Sequence, residues 1–279
     1  MIHADDYRFL QTLLHQQSGL SLGPSKEYLI ESRLAPVATS LGHPNLAALI
    51  TQLRKGAMPA VIKSVCDAMT TNETLFFRDT TPFKHFREVL LPEAAAQARQ
   101  QGRGVRIWSA ACSTGQEAYS LSMIIDQEEK QLGGVRIEIL GTDYSSATVQ
   151  RAREGVFNQF EVQRGLPIQM LLQNFTKTEA GFRINDPLRK RVRFQEGNLL
   201  KPFADLGSFD IIFVRNVLIY FDQATKKDIL ERMARQIAPG GSLVLGGTEN
   251  TIGVTEALVR DPRAVAPVYR RATEALKAA

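Results

Sequence analysis

Apolar residues recur at helical spacing through the first seventy positions. Phe9, Leu10, Leu13 and Leu14 share one face of a first helix, for which Asp5 or Asp6 is a candidate cap. Gly19-Leu20-Ser21-Leu22-Gly23-Pro24 breaks it. Tyr28, Leu29, Leu34 and Val37 mark a second helix that Pro36 is expected to kink or end. Leu46, Leu49, Ile50 and Leu53 give a third, and Val61, Ile62, Val65 and Met69 a fourth. Beyond a strip from Thr70 to Asp79, Phe83, Phe86, Val89, Leu90 and Leu91 define one more helix, closed by Gln101-Gly102-Arg103-Gly104.

From Val105 the pattern alternates between apolar runs and amphipathic stretches. Val105 to Trp108 reads as a strand, then small residues from Ser109 to Gly115, then a helix with Ala118, Leu121, Ser122 and Ile125 at helical spacing. A second strand, Val135 to Leu140, precedes Gly141-Thr142-Asp143, and a helix from Ala147 to Glu154 stops at Gly155. The alternation fails from Val156 to Glu196. There Gly181–Ile184 and Val192–Phe194 suggest short strands around Asn185-Asp186-Pro187, in an inserted antiparallel sheet that ends in the third main strand. Phe209 to Val214 is apolar apart from Asp210, as suits a buried parallel strand. A helix from about Thr225 to Ile237 is expected to stop at Pro239-Gly240-Gly241, before a strand from Ser242 to Leu245. Val265 to Arg270 is strand-like, and the Ala/Lys-rich end is expected to fray.

Strands alternating with helices build ligand sites at the carboxyl ends of the strands. The turn from Ser109 to Gly115 is the first candidate, because small side chains admit a ligand to the backbone and a helix start offers unpaired N–H groups. Glu117, in the first helical turn, suits an ammonium group. Asp143, after the second strand, suits ribose hydroxyls. A dinucleotide is not expected, since the turn holds only Gly115. The stretch also fits an ordinary strand-to-helix turn, and Asp143 a loop aspartate. Thr70 to Asp79 reads in two ways: a helix cap at Asn72 followed by core contacts from Phe76 and Phe77, or a strip closing over the ligand.

Composition narrows the class. The 279 residues allow one large domain or two modest ones, with a core that needs no staple. Cys66 and Cys112 are far apart, and His3, His15, His43 and His85 are scattered, so no metal site is expected. Two lone cysteines, no signal-peptide pattern and no long apolar run point to a cytoplasmic protein without membrane insertion. The net charge of +5 suits an acidic partner. Arg189, Lys190, Arg191 and Arg193 form a basic cluster, but without the interleaved aromatics of single-strand RNA binders, and no nucleic-acid partner is expected.

The motifs TNETLFFRD, RIWSAACSTGQEAYS, ILGTD, EGNLL and FDIIFVRNVLIYF occur in an order that resembles the CheR family of chemotaxis receptor methyltransferases, over nearly the whole chain. The resemblance implies an α/β fold: a Rossmann-like S-adenosylmethionine-dependent methyltransferase sheet, a small helical N-terminal domain over 1–70, and a methyltransferase domain over 71–279 with an inserted antiparallel β-subdomain at about 156–196. It implies S-adenosylmethionine as methyl donor and S-adenosylhomocysteine as product. Carried over position by position, it assigns Asn72, Thr74, Arg78, Glu117, Asp143, Asn198, Leu199, Arg215 and Asn216 to the cofactor, and places Tyr220 beside the methyl; Arg78 and Arg215 are the two candidates for orienting the substrate carboxylate. The implied reaction is methyl-ester formation on glutamate side chains of the cytoplasmic helices of chemoreceptors. A monomer is expected; some family members hold a receptor C-terminal peptide on the β-subdomain, which makes such a peptide a candidate second partner, and Gln159 to Arg193 leave that open. The alternatives are an RNA or small-molecule methyltransferase on the same fold, or a non-enzymatic sensor. One departure stands out: family members often carry a dense basic face on the second helix, where this chain has Lys26 and Arg33 beside Glu27 and Glu31.

Overall fold

The structure, a computed structural model, describes residues 2–272, and the expected fraying of the Ala/Lys-rich end lies outside them. The chain divides into two compact units. One holds residues up to Thr71 together with Tyr220–Thr225, and the other holds Asn72–Ile219 and the chain from Lys226 onward.

The first unit is helical: α1 (Ala4–Ser18), α2 (Glu27–Ser40), α3 (Leu46–Gly56) and α4 (Pro59–Met69). Their apolar stripes meet in a small core of Leu10, Leu14, Ile30, Leu34, Leu49, Val65 and Met69. Helix α1 starts before Asp5 and Asp6, which sit in its first turn rather than capping it; there they face the positive end of the helix dipole. Pro36 neither ends nor breaks α2. Leu34 and Ala38 are buried on either side of it, and that packing offsets the one backbone bond a proline forfeits.

The second unit is built on a seven-stranded sheet. In chain order its strands are β1 (Val105–Ala110), β2 (Ile137–Asp143), β3 (Val192–Glu196), β4 (Phe209–Val214), β5 (Ile237–Leu245), β6 (Leu258–Arg260) and β7 (Val268–Arg271). They lie side by side as β3-β2-β1-β4-β5-β7-β6, and all pairs are parallel except the two made by β7. The order reverses beside β1, where open α/β sheets form their ligand crevice. The helix Gln116–Glu128 is buried almost all round, which is why its sequence mixes leucine, methionine and isoleucine with alanine and serine. A small antiparallel sheet of Val156–Phe157, Gly181–Ile184 and Phe175–Thr178 forms the insertion.

Several boundaries differ from the sequence reading. Gly141-Thr142-Asp143 is strand, because β2 pairs with β3 as far as Asp143 opposite Glu196. Gly181–Ile184 and β3 belong to different sheets, separated by a helix, Asp186–Lys190, that Pro187 is well placed to start. Pro239-Gly240-Gly241 lies inside β5, which begins directly after the helix Gln223–Gln236 and absorbs a shift in register opposite Phe209 and Ile211. Asn72 caps no helix, and the strip around it is irregular. The final strand begins at Val268, not Val265. Strands at Phe175–Thr178 and Leu258–Arg260 escaped the periodicity.

Candidate functional site

The strand ends fall at one level. Ala110 of β1 is opposite Thr142 of β2 and Val214 of β4, and Val214 is opposite Leu245 of β5. The residues that follow these positions therefore gather along one edge of the sheet.

After β1 the chain turns tightly. Ala111 (φ 56°), Ser113 (φ 51°) and Gly115 (φ 94°) all adopt left-handed backbone. A side chain at 115 would stand 3.0 to 3.2 Å from Phe194, Ala152 and Tyr119, so glycine is required by space as well as by φ. The turn is braced by Asp143, whose carboxylate accepts from the Ser113 N–H at 2.8 Å and the Ser145 N–H at 3.1 Å. Ser113 Oγ in turn donates to the Asn72 carbonyl at 2.7 Å. Cys112 lies buried between these elements. Burial pushes its thiol well above the ordinary range, with the nearby Asp143 and Glu117 charges adding to the effect. The thiol keeps its proton at neutral pH and is no nucleophile.

Glu117 sits one turn further on and is buried. It accepts from Ser109 Oγ at 2.8 Å and from Arg215 Nη1 at 2.8 Å. Arg215, just past the end of β4, also donates to the Arg78 carbonyl at 2.7 Å and to Asp79 at 2.9 Å, and lies over the Phe83 ring at 5.4 Å. Only 1% of its side chain is exposed, and its buried Nε–H finds no acceptor among the described residues. Phe77 (φ 51°), Asp79 (φ 68°) and Thr80 (φ 35°) bend the strip so that Asp79 reaches Arg215. The Phe77 N–H donates to Ser120 Oγ at 3.0 Å, fixing the strip to the helix Gln116–Glu128.

Of the residues singled out from sequence, Asp143 and Asn72 meet through Ser113, and Glu117, Arg215 and Arg78 meet in a second cluster of hydrogen bonds. Arg78 itself donates to the Glu73 carbonyl at 3.1 Å, and Thr74 is half-buried in the same strip. Asn198 follows β3, its side chain accepting from the Leu200 N–H at 2.9 Å, beside a buried Leu199. Asn216 follows Arg215 with φ 58°. Tyr220 is the exception. It belongs to the helical unit, where its carbonyl accepts from the Ser21 N–H at 2.8 Å. Asp79 and Glu249 were not singled out. Asp79 lay inside a quoted motif, and Glu249 follows the Gly246-Gly247 pair, so the only signal was an acid next to a marked turn.

Two family models match the chain, one described as the CheR methyltransferase all-alpha domain, over residues 5–70, and one as the CheR methyltransferase SAM binding domain, over residues 72–260. The chain belongs to the CheR methyltransferase family. Chemotaxis protein methyltransferase 1 of Pseudomonas aeruginosa is 41% identical over 250 residues, covering 88% of this chain and 89% of that protein. The chemotaxis protein methyltransferase of Vibrio parahaemolyticus is 39% identical over 258 residues, covering 91% and 92%. As a CheR family member the chain is an S-adenosylmethionine-dependent methyltransferase.

The network suits that donor. Of the charges gathered here, Glu117, Asp143 and Arg215 are buried, two carboxylates to one guanidinium, so the buried charge is net negative. Such a site favours a ligand bearing an ammonium and a sulfonium. The small residues of the turn leave its backbone open to close approach.

Proposed function

We propose that this enzyme methylates glutamate side chains on the cytoplasmic helices of chemoreceptors, giving γ-methyl esters and S-adenosylhomocysteine. The observation that carries the reading is the pair of buried carboxylates, Glu117 and Asp143, on either side of the small-residue turn. Relatives named chemotaxis protein methyltransferases at about two-fifths identity supply the substrate class.

S-adenosylmethionine supplies a methyl group on a positively charged sulfur. On this reading Glu117 holds its ammonium, Asp143 holds the ribose, Asn198 and Leu199 flank the adenine, and Asn72 and Thr74 cover the amino-acid end with the strip. The substrate carboxylate, with an ordinary pKa of about 4.3, is ionised at neutral pH and needs no base. An oxygen–carbon bond forms as a carbon–sulfur bond breaks. Both charges vanish and no proton moves. Water stabilises the separated charges better than the dispersed transition state, so excluding it speeds the step. The chain's remaining task is to align oxygen, carbon and sulfur.

Two candidates stood for orienting the carboxylate. Arg215 is fully enclosed and engaged with Glu117 and Asp79. Arg78 makes one exposed bond to a carbonyl, so it is the better candidate. Tyr220, carried over by resemblance, faces the methyl in this scheme. The sparse basic face of α2 is sparser still in three dimensions: Arg33 donates to the Met69 and Thr70 carbonyls at 2.7 and 3.0 Å. Lys26, just before α2, is then the basic group left there to meet an acidic receptor. The protein acts as a cytoplasmic monomer on this reading, with the small antiparallel sheet as the place for a receptor C-terminal peptide. Among the described residues no helix is long and apolar enough to cross a membrane.

The test is methyl-labelled donor incubated with receptor fragments and, separately, with total RNA. Base-labile label on the receptor is the expected result. Label on RNA, or on neither, overturns the proposal. Titrating receptor C-terminal peptides into the protein by calorimetry checks the second partner.

A further inference from the structure

Glu249 has no part in the scheme above, yet its carboxylate is held by three backbone N–H groups. Its side chain is buried. Among the described residues no arginine or lysine pairs with it. Three backbone N–H groups satisfy the carboxylate instead: Oε2 accepts from Asn216 and from Gly246, and Oε1 accepts from Leu218, each at 2.8 Å. The Glu249 N–H closes its own turn on the Gly246 carbonyl at 3.0 Å.

These donors come from two different strand ends. Asn216 and Leu218 follow β4, and Gly246 follows β5. Asn216 holds left-handed backbone at φ 58°, a conformation that costs energy in a residue with a side chain and persists where its surroundings impose it. Gly246 is fitted to the same arrangement. A Cβ there would stand 2.7 Å from Glu249 Oε2 and 3.0 Å from the Asn216 nitrogen. One carboxylate thus clamps the turn that carries Arg215 and Asn216, and that runs on to Tyr220, against the next strand.

We infer that Glu249 is a positioning residue for methyl transfer, acting through the backbone of residues 216–218. The inference rests on the proposed function, since it takes that turn to border the reacting centre. Glu249→Gln separates positioning from packing. The amide keeps the shape and one acceptor oxygen. That oxygen serves Asn216 and Gly246 best, which turns an NH2 group toward the Leu218 N–H and loosens the part of the turn leading to Tyr220.

The experiment compares wild type, Glu249→Gln and Gly246→Ala for melting temperature, S-adenosylhomocysteine affinity and steady-state methylation of receptor fragments. The expected result for Glu249→Gln is melting a few degrees below wild type with the protein still folded at the assay temperature, affinity within about threefold, and kcat lower by about tenfold with KM for the donor little changed. Gly246→Ala, which displaces the same carboxylate, shifts kcat in the same direction. Wild-type kcat in both variants overturns the assignment. So does unfolding of both, or a kcat that falls only with the folded fraction, because Glu249 is then purely structural. Wild-type protein that neither binds the product nor transfers methyl overturns the proposed function itself, a failure visible before any variant is compared.

Discussion

Arg215 has almost no water around it, so its charge depends on Glu117 and Asp79. Replacing it with methionine leaves two carboxylates without their partner. The expected loss of stability is about 3–5 kcal/mol, read from the denaturant midpoint. Glu117→Gln is a milder change, since one oxygen still accepts from Ser109 or Arg215. It should destabilise less than Arg215→Met while weakening S-adenosylhomocysteine binding by about tenfold in calorimetry, the scale of one charged hydrogen bond. Unaltered binding would remove Glu117 from the donor site. Cys112 offers a third check: with its thiol pushed up by burial, it should react with a disulfide reagent at pH 8 only once denaturant is added. The small turn, Glu117 and Asp143 were visible from the residues because each sits next to an apolar run that fixes its place. The Arg215–Glu117 and Arg215–Asp79 pairs were not. They join positions 98 and 136 apart, and no local period encodes such a pairing.

The strands show the same division between local and long-range information. Phe209 to Val214 was legible because every position is buried and all but Asp210 are apolar. Gly141-Thr142-Asp143 looked like a loop because glycine and aspartate disfavour strands, but both neighbouring strands pair with it. Gly141 is there for space. A Cβ would stand 2.5 Å from Phe194 Cδ1 and 3.1 Å from Cys112 Sγ. Phe194 is buried and packs on Tyr119 at 5.3 Å between ring centres, so it has no room to yield. Gly141→Ala should cost about 1–3 kcal/mol by overpacking, measured by chemical denaturation. A stable variant would mean that Phe194 can move. Pro239-Gly240-Gly241 misled for a related reason. Its residues are helix breakers, but a bulge opposite Phe209 and Ile211 takes them into β5.

At the scale of the whole molecule, acid stability should turn on a charge cluster in the methyltransferase unit. Asp261 is buried and accepts from Arg263 and Arg270, which both also reach Glu93. The Arg263 hydrogen bond chiefly, with help from Arg270 and against the effect of burial, holds the Asp261 carboxyl well below the usual carboxylate range. A depressed folded value means that this stability is present above the unfolded value of about 3.9 and is lost as pH falls toward the folded one. Asp261→Asn should therefore be less stable than wild type at pH 7, with the gap narrowing below about pH 4 in urea titrations. An equal gap at every pH would assign the loss to packing.

Residues 220–225 lie among the N-terminal helices although the chain around them belongs to the sheet. Ser21 N–H reaches the Tyr220 carbonyl at 2.8 Å, and His15 Nε2 lies 2.5 Å from Asp222 Oδ2. The Thr225 N–H and then His15 lower the Asp222 carboxyl. Anyone trimming this protein to a fragment that starts at residue 72 would keep Tyr220 but discard Ser21 and His15. The excised piece would contain every sheet strand and still be missing the supports of one loop, so its inactivity would not show that the helices recruit substrate.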